Sequence, residues 1–299
     1  SAGAWQTDTN NPAKHEQVKT AVLNQDDASF EHLSAIPAPQ QLSYAISSTA
    51  DVVATDIHYA REQTRFTLRL NKQPSSSWPV ELLISSPLSG EFNVYNSLAA
   101  ATAALAVGVG ADALVEGLEQ IEPIDGRMER IDRGQPYTVI VDFAHTPNAL
   151  IQAIKAARSM TEGRIITVFG SAGKRDVDKR KKMAQISAQH ADLTVLTAED
   201  PRTDSLEGIL QTMADGSKRA GGVEEQTFWS IPDRGRAIYF ALSQAEPQDL
   251  VLVCGKGHEQ SMCFGTIEYP WDDRTAVNKA LEALAEGKPM PDLGLPTFE

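Results

Sequence analysis

Residues 165–196 read IITVFGSAGKRDVDKRKKMAQISAQHADLTVL. A continuous apolar run, Ile165–Phe169, gives way to a loop holding Gly170 and Gly173, then to a helix-length segment and a second apolar run, Leu193–Leu196. Runs without polar alternation suit strands covered on both faces, and strands that alternate with helices build a mostly parallel sheet. The rhythm continues outward. Thr138–Phe143 precedes this unit and Leu250–Val253 follows it. Leu206, Ile209, Leu210 and Met213 fall at i, i+3, i+4 and i+7 behind Ser205, which is placed as an N-cap. Residues 126–299 are therefore expected to form a Rossmann-like domain.

The chain changes character near residue 125. Before it lie short β-rich runs at Thr20–Leu23, Gln41–Ile46, Val52–Tyr59, Thr64–Leu70 and Val80–Ile84, separated by turn residues such as Pro74-Ser75-Ser76-Ser77. Two segments rich in alanine and leucine, Val94–Val107 and Ala111–Gln120, read as helices. No internal repeat is present. The tail with Pro289, Pro291 and Pro296 is expected to be irregular.

At 299 residues the chain is long enough for two cores. A net charge of −13 disfavours a nucleic-acid or anionic-membrane surface, because both need a basic field. No run of about eighteen apolar residues occurs, and the polar start, Ser1 to Asn11, lacks the pattern of a secretory signal. Cys254 and Cys263 make neither a disulfide framework nor a zinc site, and read as free thiols of a cytoplasmic protein. One basic cluster stands out: Lys174, Arg175, Lys179, Arg180, Lys181 and Lys182 within nine residues. Such a run is commonly a solvated helix face, but this one follows a glycine-bearing loop.

In an open parallel sheet, ligands bind beyond the carboxyl ends of the strands. Each of the four strongest strands is followed there by a polar or glycine-bearing loop: Asp142–Asn148, Gly170–Asp176, Glu199–Arg202 and Cys254–Gln260. Taken singly, each has a structural explanation. Asp142 and Asn148 suit helix caps, Gly170 and Gly173 a tight turn, and Lys256 and His258 an exposed loop. Together they place Arg, Lys, His and Glu on one rim, which suits a ligand with both anionic and cationic groups. Arg175 and Arg202 can grip carboxylates, Glu259 can pair with an ammonium, and amides near Gly170 and Gly173 can approach an anion. In the first part, Asn93 and Asn96 open an alanine-rich segment, and an Asn amide can read an adenine edge.

The ordered segments FNVYNSLAA, GRMERI, VDFAHTPNAL, FGSAGKRDVDKR, DPR and CGKGHEQ resemble the Mur ligase family from about Thr20 to Arg274. Within it the chain is most similar to the members that add a diamino acid to UDP-MurNAc-L-Ala-D-Glu. The resemblance implies that residues 1–125 are the C-terminal part of a central ATP-binding domain and 126–299 the C-terminal ligase domain. It implies ATP and Mg2+ as cofactors, an acyl-phosphate intermediate, a cytoplasmic location and a monomer. Carried onto this sequence, Asn96 resembles the adenine-contacting Asn and Arg127 the Arg that reaches the ATP phosphates. Asp142, His145 and Asn148 resemble the nucleotide-side residues, and Arg175, Asp200, Arg202, Gly255 and Glu259 those for the incoming diamino acid.

Two departures bear on function. Members that add diaminopimelate carry Asp-Asn-Pro-Arg where this chain has Glu199-Asp200-Pro201-Arg202. Arg202 favours meso-diaminopimelate, whereas Asp200 leaves ornithine or lysine open. The family's P-loop is not found in these 299 residues, and its modifiable, magnesium-linked lysine has no clear counterpart, Lys14 lying in an unmatched segment. The expectation is thus a ligase by descent, catalytically incomplete as this chain alone, with a non-enzymatic amino-acid-binding module as the alternative.

Overall fold

A computed structural model of the chain describes residues 18–59, 63–71, 78–88, 90–122 and 124–297. The Pro74–Ser77 cluster, Lys14 and the polar start lie outside the described residues. Two compact units emerge, divided near residue 121.

The first unit carries β1 (Thr20–Asn24), α1 (Phe30–Ser34), β2 (Gln40–Ala45), β3 (Val52–Tyr59), β4 (Thr64–Leu70), β5 (Glu81–Ser86), α2 (Glu91–Ala106) and α3 (Ala111–Glu119). Its five strands form one sheet in chain order. β1, β2 and β3 pair in parallel, while β4 and β5 are antiparallel. The alternation of β4, with Thr64, Phe66, Leu68 and Leu70 buried and Arg65 and Arg69 exposed, is the period-two pattern of a half-covered strand. α2 buries Val94, Leu98, Ala101 and Leu105, a stripe at helical spacing.

The second unit contains β6 (Glu129–Ile131), β7 (Thr138–Asp142), α4 (Pro147–Arg158), β8 (Ile165–Phe169), α5 (Val177–His190), β9 (Leu193–Leu196), α6 (Leu206–Arg219), β10 (Phe228–Ser230), α7 (Arg234–Ser243), β11 (Leu250–Cys254), β12 (Ser261–Phe264), β13 (Ile267–Pro270) and α8 (Asp273–Ala285). Its sheet runs β10-β9-β8-β11-β7-β6, all parallel except β6. β8 and β11 are buried along their whole length, as continuous apolar runs in a sheet covered on both faces should be. Val139, Val141, Ile166, Val168, Val251 and Val253 pack with Ala237 and Ile238 of α7 and Val277 and Leu281 of α8. Ser205 caps α6 by accepting from the Gly208 amide, and no helix or strand follows Ala285 among the described residues, both as the sequence reads.

Short β6 and β10 and the β12–β13 hairpin escape the sequence pattern, being three or four residues each. After β8 the chain moves one way across the sheet to β9, while β11 lies on its other side. The loops after β8 and β11 consequently diverge, leaving a crevice at the carboxyl ends of the strands.

Candidate functional site

A cavity of about 460 Å³ opens at that crevice, within the usual range for small-ligand sites. All four rim loops line it. Phe143 and His145 follow β7; Ala172, Arg175, Asp176 and Lys179 follow β8; Glu199, Asp200 and Arg202 follow β9; Gly255 and Glu259 follow β11. The five residues expected to meet a diamino acid, Arg175, Asp200, Arg202, Gly255 and Glu259, thus share one cavity, with His145 from the nucleotide set beside them.

The rest of the nucleotide set is more dispersed. Arg127 lays its guanidinium 4.3 Å from the centre of the Phe143 ring, a cation–π distance. That ring also sits 4.5 Å from His145 and 4.9 Å from His258. His145 Nδ1 lies 3.1 Å from the Phe143 carbonyl oxygen, a contact that favours the proton on Nδ1 and leaves Nε2 as an acceptor. Asp142 does not cap the following helix. Its two oxygens accept from the Met128 and Ala144 amides at 2.9 and 2.8 Å, tying the strand end to the 126–128 turn. Thr146 is the cap of α4, with Pro147 in the first turn, so Asn148 is exposed on the helix and does not line the cavity. Asn96 belongs to the first unit, where its Nδ2 donates to Asn93 Oδ1 at 3.1 Å.

The glycines serve loop packing more than anion approach. A Cβ on Gly173 would stand 1.8 Å from the Pro201 carbonyl oxygen, and one on Gly170 2.5 Å from that of Thr197. The Gly173 amide is already engaged with the Asp200 carbonyl at 2.9 Å. The two glycines let the loop after β8 lie directly on the loop after β9. The basic cluster divides in the same spirit. Arg180 is buried and paired with Asp204 at 2.8 Å, whereas Arg175 and Lys179 face the cavity. The Lys174 amide and the Arg180 guanidinium outweigh a small burial effect and bring Asp204 down to about 2.

The hairpin, unseen in the sequence, shapes the loop after β9. The Cys263 amide donates to Asp200 Oδ1 at 2.9 Å, the Arg202 amide donates to the Cys263 carbonyl at 3.0 Å, and the Gly265 amide donates to the Arg202 carbonyl at 2.7 Å. Asp200 and Arg202 are held at φ of +41° and +52°, a region L-residues rarely occupy. Such strain persists only where the surroundings impose it. Among the described residues the Arg202 guanidinium forms no ion pair, which leaves its fork available to an incoming anion.

Three features contradict or extend the sequence reading. Lys256 is not an exposed loop residue: it is 1 % exposed, with Nζ 3.0 Å from Asp200 Oδ1 and 2.9 Å from Glu259 Oε2. Glu259, expected to await a ligand ammonium, therefore already faces one from the protein, and Asp200 is offset by Lys256. Glu199, not singled out from sequence, is buried in the cavity wall and its Oε2 has no hydrogen-bond partner among the described residues. Burial pushes its carboxyl up to about 7, against the pull of Arg234, Lys179 and Lys256. The available signal was position: Glu199 stands three residues, and Lys256 two, beyond the buried end of a strand. Among the described residues no three His, Cys, Asp or Glu side chains are arranged to hold a metal ion.

The Mur ligase middle domain matches residues 12–104, and the domain described as Mur ligase, glutamate ligase domain, matches residues 126–257. The chain belongs to the Mur ligase family. Members of this family are ATP-dependent ligases that form carbon–nitrogen bonds. A UDP-N-acetylmuramyl-tripeptide synthetase of Roseiflexus sp. is 41 % identical over 92 % of the chain and 53 % of that relative. A UDP-N-acetylmuramoyl-L-alanyl-D-glutamate–2,6-diaminopimelate ligase of Bacillus velezensis is 37 % identical over 90 % of the chain and 52 % of its own length. A solved structure of a ligase of the latter name aligns with a TM-score of 0.59 and 34 % identity, over 89 % of the chain and 54 % of that structure. The chain thus spans about half the length of the curated Mur ligases it matches. No helix among the described residues is long and apolar enough to cross a membrane.

Proposed function

We propose that this chain is the diamino-acid-binding portion of a Mur ligase that joins meso-diaminopimelate to UDP-MurNAc-L-Ala-D-Glu. The observation carrying this reading is the convergence of Arg175, Asp200, Arg202, Gly255 and Glu259 on one cavity. Arg202, free of ion pairs among the described residues, is suited to the distal carboxylate, and Asp200 and Glu259, which share Lys256 and keep one negative charge in excess of it, are suited to an ammonium group. In the overall reaction, ATP would convert the D-glutamate carboxylate into an acyl phosphate, and the amino group held in the cavity would displace phosphate to form the amide. Arg127 and His145 of the second unit would serve the nucleotide, and Asn96 of the first unit would read an adenine edge. ATP and Mg2+ are the cofactors this reading requires, a monomer in the cytoplasm its setting.

Calorimetric titration of the chain with meso-diaminopimelate, L-lysine and L-ornithine tests the substrate. Meso-diaminopimelate is expected to bind most tightly, and Arg202→Ala to weaken it by about ten- to a hundredfold, since a charge-assisted contact is worth about 1.5–3 kcal/mol. Equal or tighter binding of lysine or ornithine would defeat the assignment. An Arg202→Ala variant with unchanged affinity would defeat the carboxylate clamp.

A further inference from the structure

Behind the cavity wall, one ammonium is shared by two carboxylates that do face the ligand space. Lys256 stands two residues beyond the end of β11, with a side chain only 2 % exposed. Its Nζ lies 3.0 Å from Asp200 Oδ1 and 2.9 Å from Glu259 Oε2. Asp200 and Glu259 line the cavity, whereas Lys256 does not. A lysine this deeply buried stays charged only where partners compensate its desolvation.

We infer that Lys256 is a positioning residue that sets specificity: by spanning Asp200 and Glu259 it cancels one of two negative charges on that wall and lets Arg202 receive a ligand carboxylate. The inference rests on the diamino-acid reading of the cavity and deepens it. Without the ammonium, Asp200 and Glu259 would present a doubly negative wall beside Arg202. Asp200 could not easily swing away, because the Cys263 amide holds the same Oδ1 at 2.9 Å and the backbone there is left-handed. A side chain ending in a bare ammonium would gain from such a wall. One that also carries a carboxylate would meet repulsion next to its Arg202 anchor.

Meso-diaminopimelate and L-lysine differ by that distal carboxylate, so their affinity ratio reads the effect directly. Calorimetry on the 299-residue chain would compare the parent, Lys256→Met, Asp200→Asn and the Asp200→Asn/Lys256→Met double variant, each checked for folding by circular dichroism. Lys256→Met is expected to move the ratio toward lysine by at least about tenfold, the size of one charge contact. Asp200→Asn should move it toward diaminopimelate, and the double variant, having lost one charge of each sign, should return close to the parent ratio. A ratio unmoved by Lys256→Met, or a double variant as shifted as the single, overturns the inference. If Lys256→Met does not fold, the other two variants decide, and an unmoved ratio in Asp200→Asn overturns it. Binding of neither amino acid by the parent sinks the diamino-acid reading and this inference with it, whereas binding with an unmoved ratio sinks only the inference.

Discussion

Arg234 offers the sharpest test of what holds the rim together. It is 0 % exposed, and its Nε and Nη2 meet Asp273 Oδ1 and Oδ2 at 2.7 Å each. Nη1 donates to the Ala198 carbonyl at 3.1 Å and Nη2 also to that of Cys254 at 2.8 Å. Those carbonyls immediately precede Glu199 and Gly255, so one guanidinium on α7 ties two site loops to the start of α8. Asp273 accepts a further bond from Trp271 Nε1 at 2.8 Å. Arg234→Met removes the cation and strands a buried carboxylate. Breaking such a pair from one side costs about 3–5 kcal/mol, mostly the penalty of the uncompensated charge. At about 2–4 °C per kcal/mol for a domain of this size, melting should fall by roughly 6–20 °C. Adding Asp273→Leu removes the stranded charge and should recover a good part of the loss. Recovery would be incomplete, because two carbonyls and the Trp271 N–H would still lack partners. Urea unfolding followed by circular dichroism, on the parent, both single variants and the double, measures this. A loss under about 1 kcal/mol for Arg234→Met, or a double variant no more stable than it, would refute the clamp, since a buried one-sided charge has no cheap alternative.

Two further expectations concern the same rim. Burial raises Glu199 from 4.5 to about 7, so the folded state keeps a proton that the unfolded state loses. Its contribution to stability is complete below about pH 4.5 and disappears as pH rises through 7, roughly 3 kcal/mol in all. Glu199→Gln should therefore flatten the fall in urea midpoint between about pH 5 and 7.5, and parallel profiles for variant and parent would contradict the assignment. Gly173→Ala would drive a Cβ to 1.8 Å from the Pro201 carbonyl oxygen, which only a shift of the loop can relieve. It should cost about 1–3 kcal/mol of stability and weaken diamino-acid binding in calorimetry, and unchanged affinity would show that the loop after β9 tolerates the shift.

Much of the second unit was legible in the sequence because its signals are local. Ile165–Phe169 and Leu193–Leu196 occur as read, and β7 and β11 differ by one residue at one end. A buried strand must be apolar along its length, and a helix must repeat its apolar residues every three or four positions. The four loops on one rim followed from the parallel direction of the strands, and the cavity sits there. What the tertiary structure alone decided is which charges meet across those loops. Lys256 and His258 look alike as loop residues, yet Lys256 is buried between Asp200 and Glu259, one of them 56 positions away in the chain. Glu199 is one carboxylate among many until the backbone at Gly170 and Gly255 closes against it and burial raises its proton affinity. The hairpin strands are too short to stand above the background of the sequence, but the hairpin fixes the Asp200 side chain through the Cys263 amide and the Arg202 backbone through the Cys263 carbonyl and the Gly265 amide. Sequence carries the period of each element. The desolvation and pairing of a charged group depend on which distant backbone closes over it, and only packing settles that.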